Sequence, residues 1–345
     1  MIKANIRDIK EIRLSGRFDA SAPDFPLNWT AAGCDMKVKG SFLDIEIASE
    51  YNVYRPYITF EVDGLRAQTF APLKGANTYT VFCSMNPEKA HTVKIFMESQ
   101  NFIGDSCVTI KTVTTDGEIL PPDPVRCRIE FIGDSITSGE GGKGPKDFSE
   151  WMPMMFSASD NYARFAADKM NAAYQVVSLS GWGIMCAWNN DPSSRIPRVY
   201  EEIAADGKPY DFSFDPDYVV IALGTNDNNA MNQPEFKNPE TGETFRLTKD
   251  HMSEWTKKAF EFLKTIHRRN PRAKIVWMSF FKESDVAKAT QAACEMAKEA
   301  GIPARYACTL DLHHLIRGGM GSRSHPGIVA QKHIAKELLK VLKTK

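Results

Sequence analysis

The chain has 345 residues, 43% hydrophobic and 25% charged, the balance of a protein with a sizeable packed core; at roughly 150 residues per domain, its length implies two domains. Lys plus Arg and Asp plus Glu both number 43, a formal net charge of zero, so no global field draws nucleic acid or an anionic membrane, and neither is expected as a partner. The segment from Met1 to Lys10 is charged every few residues and lacks the apolar core of a signal peptide, and no stretch reaches the ~20 apolar residues of a membrane span. Seven cysteines (Cys34, Cys83, Cys107, Cys127, Cys186, Cys294, Cys308) are scattered, odd in number and without Cys-x-x-Cys spacing. That pattern points to reduced thiols rather than a disulfide framework or a zinc site, and so to a cytoplasmic location.

Between residues 30 and 115 the chain alternates apolar and polar residues with the period of two that marks half-buried strands: Phe42–Ile47, Ile58–Val62, His91–Met97 and Cys107–Ile110. Asp63-Gly64 and Asp116-Gly117 punctuate them, and the pattern predicts an antiparallel β-sandwich over residues 1–120. Pro121-Pro122-Asp123-Pro124 opens a linker, 121–125, to a second domain, 126–345. There, apolar strands alternate with helical segments at Asn161–Met170, Met252–Arg269 and Val286–Ala300, which predicts a parallel sheet in a three-layer α/β domain. The irregular insertion Gly139–Ser159 is too broken for a helix throughout and reads as a loop walling a pocket.

Three strand-to-loop junctions in the second domain carry chemistry. Ile129-Glu130-Phe131-Ile132 runs into Gly133-Asp134-Ser135, which places a hydroxyl at the carboxyl rim of the sheet, where α/β enzymes bind ligands. Tyr218–Leu223 is a continuous apolar run, as for a strand buried on both faces, ending in Gly224-Thr225-Asn226-Asp227. Near the C-terminus, Gly321-Ser322-Arg323-Ser324-His325-Pro326 precedes a helical pattern. Ser, Asn and His in this order supply a nucleophile, an amide donor and a base.

These blocks resemble the SGNH (GDSL-type) hydrolases, named for conserved Ser, Gly, Asn and His blocks. The resemblance implies Ser135 as nucleophile, His325 as base, and an oxyanion held by the N–H groups of Ser135 and a second-block glycine with the Asn226 amide. Ser180-Gly181-Trp182-Gly183 offers two glycines; Gly183 is favoured as nearer the following segment. The family usually carries Asp three residues before the His, whereas this chain has Ser322. Two readings stand open: a Ser–His dyad whose imidazole is held by a backbone carbonyl or the Ser322 hydroxyl, or an impaired site on a protein that only binds. Asp311 is a further candidate for the orienting acid.

The order of a jelly-roll-like sandwich followed directly by the Gly-Asp-Ser strand is similar to carbohydrate esterase family two. That family removes O-acetyl groups from xylan and mannan, so an acetylated oligosaccharide is the implied substrate. Trp182, Trp188 and Trp151 are candidate platforms for a sugar ring, and Asp227, beside Asn226, a candidate substrate contact. A GDSL-type esterase for lipid or aryl esters and a carbohydrate-binding protein are the alternatives. No cofactor or metal is implied: His313-His314 lacks ligand spacing, Gly318-Gly319-Met320-Gly321 lacks the Lys-Ser/Thr of a phosphate loop, and His333 reads as a packing or surface residue rather than a catalytic one. The sequence leaves the oligomeric state open.

Overall fold

The computed structural model describes residues 1–308 and 319–343. The chain forms two compact units: 1–125 with 150–159 and 202–210, and 126–149 with 160–201 and 211–345.

The first unit holds two antiparallel sheets. One orders the strands Ile2–Asn5, Ser106–Thr115, Leu43–Tyr51 and Gly75–Phe82, with Phe25–Pro26 added on Ser106–Thr115. The other orders Glu118–Leu120, Gly33–Lys39, Ala90–Met97, Ile58–Val62 and Leu65–Phe70, with Arg13–Ser15 on Gly33–Lys39. Because successive side chains on a strand face opposite ways, Leu43, Ile45 and Ile47 of one sheet and Met36, Phe60 and Ile95 of the other enter a single apolar core. The alternation breaks where register shifts between Ile110 and Thr112, a bulge at Lys111 that moves the inward set from Val108 and Ile110 to Val113. Asp63 and Gly64, both at positive φ, form the two-residue turn of the Ile58–Phe70 hairpin.

Two segments that follow the join in sequence also belong to this unit. Ser157 and Ser159 donate hydroxyls to the buried Glu98 carboxylate, and the Trp29 indole N–H donates to the Ile203 carbonyl at 2.6 Å. Only 139–149 of the predicted insertion lies in the second unit.

The second unit is built on a five-stranded parallel sheet ordered Ala172–Ser178, Cys127–Gly133, Tyr218–Ala222, Lys274–Ser279, Ala304–Cys308. From Cys127–Gly133 the chain steps first to one side and then, for the remaining strands, to the other. Right-handed crossovers therefore put helices on both faces and leave a switch point beside the Cys127–Gly133 carboxyl end, where ligands bind in such sheets. The helices Tyr162–Met170, Met252–Arg269 and Asp285–Glu299 fall within a residue of their predicted bounds. Met252–Arg269 buries Trp255, Ala259, Phe262, Leu263 and Ile266, a stripe at helical spacing; Trp255 and Phe262 pack on Trp277 of the sheet. Among the described residues no helix is long and apolar enough to cross a membrane.

Candidate active site

Ser135 opens the short helix Ser135–Ser138 directly after Cys127–Gly133. Its N-cap is Asp134, whose carboxylate accepts the Ile136 N–H at 3.0 Å, so the strand ends in a tight turn that presents the serine at the sheet rim. His325 arrives from the other end of the chain: its Nε2 is 2.8 Å from Ser135 Oγ and its Nδ1 is 2.8 Å from the Arg323 carbonyl oxygen. A carbonyl only accepts, so Nδ1 carries the proton and Nε2 is left bare to accept the serine proton.

The carbonyl reaches the imidazole because the chain turns sharply before it. Arg323 and Ser324 both lie at positive φ, 53° and 57°, a left-handed conformation uncommon for such residues. The turn is pinned from the segment after the nucleophile: Ser322 N–H donates to the Gly141 carbonyl, Ser322 Oγ to the Lys143 carbonyl at 2.8 Å, and Arg323 N–H to the Phe148 carbonyl. Of the backbone carbonyl and the Ser322 hydroxyl, the carbonyl is the one at the ring. Ser322 is fully buried with its hydroxyl spent on Lys143. Asp311, His313, His314 and Gly318 lie outside the described residues. Gly141 (φ 73°) sits so close that a Cβ there would come within 2.4 Å of the Ser322 carbonyl oxygen and 2.6 Å of His325 Cβ.

Asn226, the second residue of the helix Thr225–Ala230, follows the neighbouring strand Tyr218–Ala222. Its amide nitrogen lies 2.9 Å from the Trp182 carbonyl and 3.3 Å from Asp134 Oδ2. Burial pushes the Asp134 carboxyl up to about 7, with the Asp227 and Glu140 charges adding to the rise.

The structure parts the two glycines of the second block. Gly183 is held in a one-residue parallel bridge to Arg195, its carbonyl accepting the Ile196 N–H at 3.0 Å, and its Cα faces the Asp227 carboxylate. Gly181 adopts φ 81°, and its N–H has no hydrogen-bond acceptor among the described residues. The segment that follows is folded back onto Gly183.

Asp227 does not fit the expected substrate contact. It is fully buried and accepts the N–H groups of Ile184 and Met185, burial raising its carboxyl above the ordinary range; it fixes the turn after Gly183. Trp182 is half-buried with the Arg198 guanidinium over its ring. Trp188 is half exposed, its N–H bonded to the Gly181 carbonyl and its ring edge against the Gly181 Cα. Trp151 belongs to the first unit, edge-on to Tyr54 and Phe102. His333 is exposed.

One participant has no counterpart in the sequence reading. Glu140 is buried, accepts Arg323 Nε at 3.0 Å and the Ser180 hydroxyl, and lies 3.9 Å from His325 Nε2. Its side-chain partners are 40 or more positions away, so no local spacing signals it. Among the described residues no group of three or more His, Cys, Asp or Glu is placed to share a metal ion.

Residues 131–318, more than half of the chain, match the GDSL-like Lipase/Acylhydrolase family, and residues 14–123 match the carbohydrate esterase 2 N-terminal family. The structure of an acetyl xylan esterase, Est2A, from the rumen bacterium Butyrivibrio proteoclasticus superposes with a TM-score of 0.92 at 30% identity, covering 99% of this chain and 98% of that one. Cellulase/esterase CelE of Acetivibrio thermocellus is 29% identical over 220 residues, 63% of this chain; the chain spans about a quarter (26%) of that relative's length. An acetylxylan esterase / glucomannan deacetylase of Cellvibrio japonicus is 26% identical over 284 residues, 78% of this chain and 73% of that protein. The chain belongs to the GDSL-like lipase/acylhydrolase family, in the two-domain arrangement of carbohydrate esterase family two.

Proposed function

We propose that the protein is a carbohydrate O-acetyl esterase working through an acetyl-serine intermediate on oligosaccharides derived from xylan or mannan. The observation that carries this reading is the Ser135–His325–Arg323 carbonyl relay, which fixes the imidazole as a base toward the serine. Ser135 Oγ attacks the acetyl carbonyl carbon as its proton passes to His325 Nε2. The negative charge that develops on the carbonyl oxygen is met by the Ser135 and Gly181 N–H groups, with the Asn226 amide turning from its longer contact to Asp134. Such preorganised donors are typically the largest single contribution to acyl transfer, each worth roughly 3 kcal/mol. Collapse of the intermediate expels the sugar oxygen, which takes the proton from Nε2. Water, deprotonated by the same imidazole, then releases acetate and frees the serine.

Support for an acetyl group on a sugar comes from the relatives' names and from Trp182 and Trp188, indoles one and seven positions beyond Gly181 in the chain. The binding-only reading rested on the missing Asp, whose orienting task the Arg323 carbonyl performs. Cys83 and Cys107, exposed and free of any disulfide, support action in a reducing compartment. The test is acetate release from acetylated xylan and mannan fragments beside hydrolysis of a long-chain fatty ester. Turnover of the acetylated sugars well above the fatty ester supports the reading; the reverse preference removes it.

A further inference from the structure

The missing acid leaves an electrostatic question. When Ser135 gives up its proton, His325 becomes a cation, and a neutral carbonyl at Nδ1 is a weaker partner for it than a carboxylate. The charged groups facing the imidazole are Glu140, whose Oε2 lies 3.9 Å from Nε2, and Arg323, whose Nε is bonded to Glu140 Oε1; Asp134 lies next, close enough for the Glu140 charge to act on it.

We propose that Glu140 is the positioning residue that takes the place of the absent Asp, supplying the negative charge for the His325 imidazolium from the Nε2 side while joining the catalytic loops. This rests on the esterase reading above. Two independent features of the site support it. The first is charge: the Glu140 side chain is 4% exposed, so water screens its field on His325 little. The second is connectivity. Glu140 lies five residues beyond the nucleophile, its N–H donating to the Ser135 carbonyl; one carboxylate oxygen holds the Arg323 side chain, whose own carbonyl orients His325, and the other holds Ser180, the residue before Gly181. Base loop and oxyanion turn thus meet on the Glu140 carboxylate, and the nucleophile loop is held by its main-chain N–H. A carboxylate on the Nδ1 side would only orient and stabilise; on this side it also ties down the strained Arg323–Ser324 turn.

Arg323 opposes the effect. Its guanidinium, also bonded to the Ser149 carbonyl, neutralises part of the Glu140 field, so the two side chains pull the imidazole's protonation in opposite directions. That opposition separates an electrostatic role from a purely structural one.

The test is the pH profile of kcat/KM on an acetyl ester for wild type, Glu140→Gln and Arg323→Gln, with thermal unfolding of each recorded. Glu140→Gln is expected to lower kcat at least tenfold with KM within about threefold, and to move the acidic limb to lower pH, because an imidazole without its counter-charge protonates less readily. Arg323→Gln keeps its main-chain carbonyl and should move the limb the other way. Opposite displacements establish the role. Loss of activity with both limbs unmoved, or moved together, overturns it, and so does wild-type kcat in Glu140→Gln. If Glu140→Gln does not fold, an acidic limb in Arg323→Gln that stays put or moves to lower pH is sufficient to overturn it. A wild-type protein with no ester hydrolysis would remove the esterase reading itself, a result distinct from any of these.

Discussion

At Ser322 a residue that looks like a catalytic loss turns out to be a brace. Its hydroxyl donates to Lys143 rather than to His325, so Ser322→Ala should cost about 1 kcal/mol of stability and less than about tenfold in kcat/KM. A collapse of activity with the fold intact would return Ser322 to the ring. The glycines separate in the same way. Gly181→Ala forces a side chain into a left-handed conformation against Trp188 and should lower kcat with KM little changed. Gly183→Ala drives a Cβ to 2.3 Å from Asp227 Oδ2, so its cost should appear first in Tm. Steady-state kinetics beside thermal melts decide between them, and the opposite pattern would hand the oxyanion donor to Gly183. Ser135, Asn226 and His325 were legible because each adjoins a recognisable run of sequence, the first two after an apolar strand and the third before a helix. Glu140, Arg323 and the burial of Asp227 were not, because their meaning lies in partners 40 to 183 positions distant.

At the scale of elements, Asp134 joins the ends of two adjacent strands, capping the nucleophile helix and facing the Asn226 amide. Burial pushes its carboxyl in the folded protein up to about 7, from an ordinary 3.8. Between those values the folded protein keeps a proton that the unfolded chain has lost, so stability falls as pH rises through the window, by up to ~1.4 kcal/mol per pH unit. Denaturant unfolding from pH 4 to 8 should show Asp134→Asn without this fall, and parallel curves for the two proteins would refute the assignment. Periodicity found the strands whose alternate residues enter the core, such as Ile58–Val62, and failed where burial does not alternate. Leu65–Phe70 is exposed for nearly its whole length, so it carries no apolar rhythm. The bulge at Lys111 shifts the inward face by one residue without a glycine or proline to announce it.

For the whole molecule, the sequence divides at its prolines, but the fold does not divide there alone. Residues 150–159 and 202–210 count with the first unit, tied by Glu98, Trp29 and the fully buried Arg17, whose guanidinium bonds the Glu202 carbonyl and covers the Tyr210 ring. A chain beginning at residue 126 would carry both segments without these partners. It should be insoluble or unfold at markedly lower temperature, and a stable, active 126–345 fragment would contradict this. Such contacts are invisible to local pattern because Glu98 and Ser157 stand 59 positions apart. The central claim, that Ser135 carries an acetyl group taken from a sugar, is tested most directly by rapid acid quench of wild-type protein turning over an acetylated xylo-oligosaccharide, followed by mass spectrometry of its peptides. The account predicts one added acetyl on the peptide containing Ser135, absent in Ser135→Ala. Acetate release with no acetyl on that peptide, or undiminished release by Ser135→Ala, would contradict it.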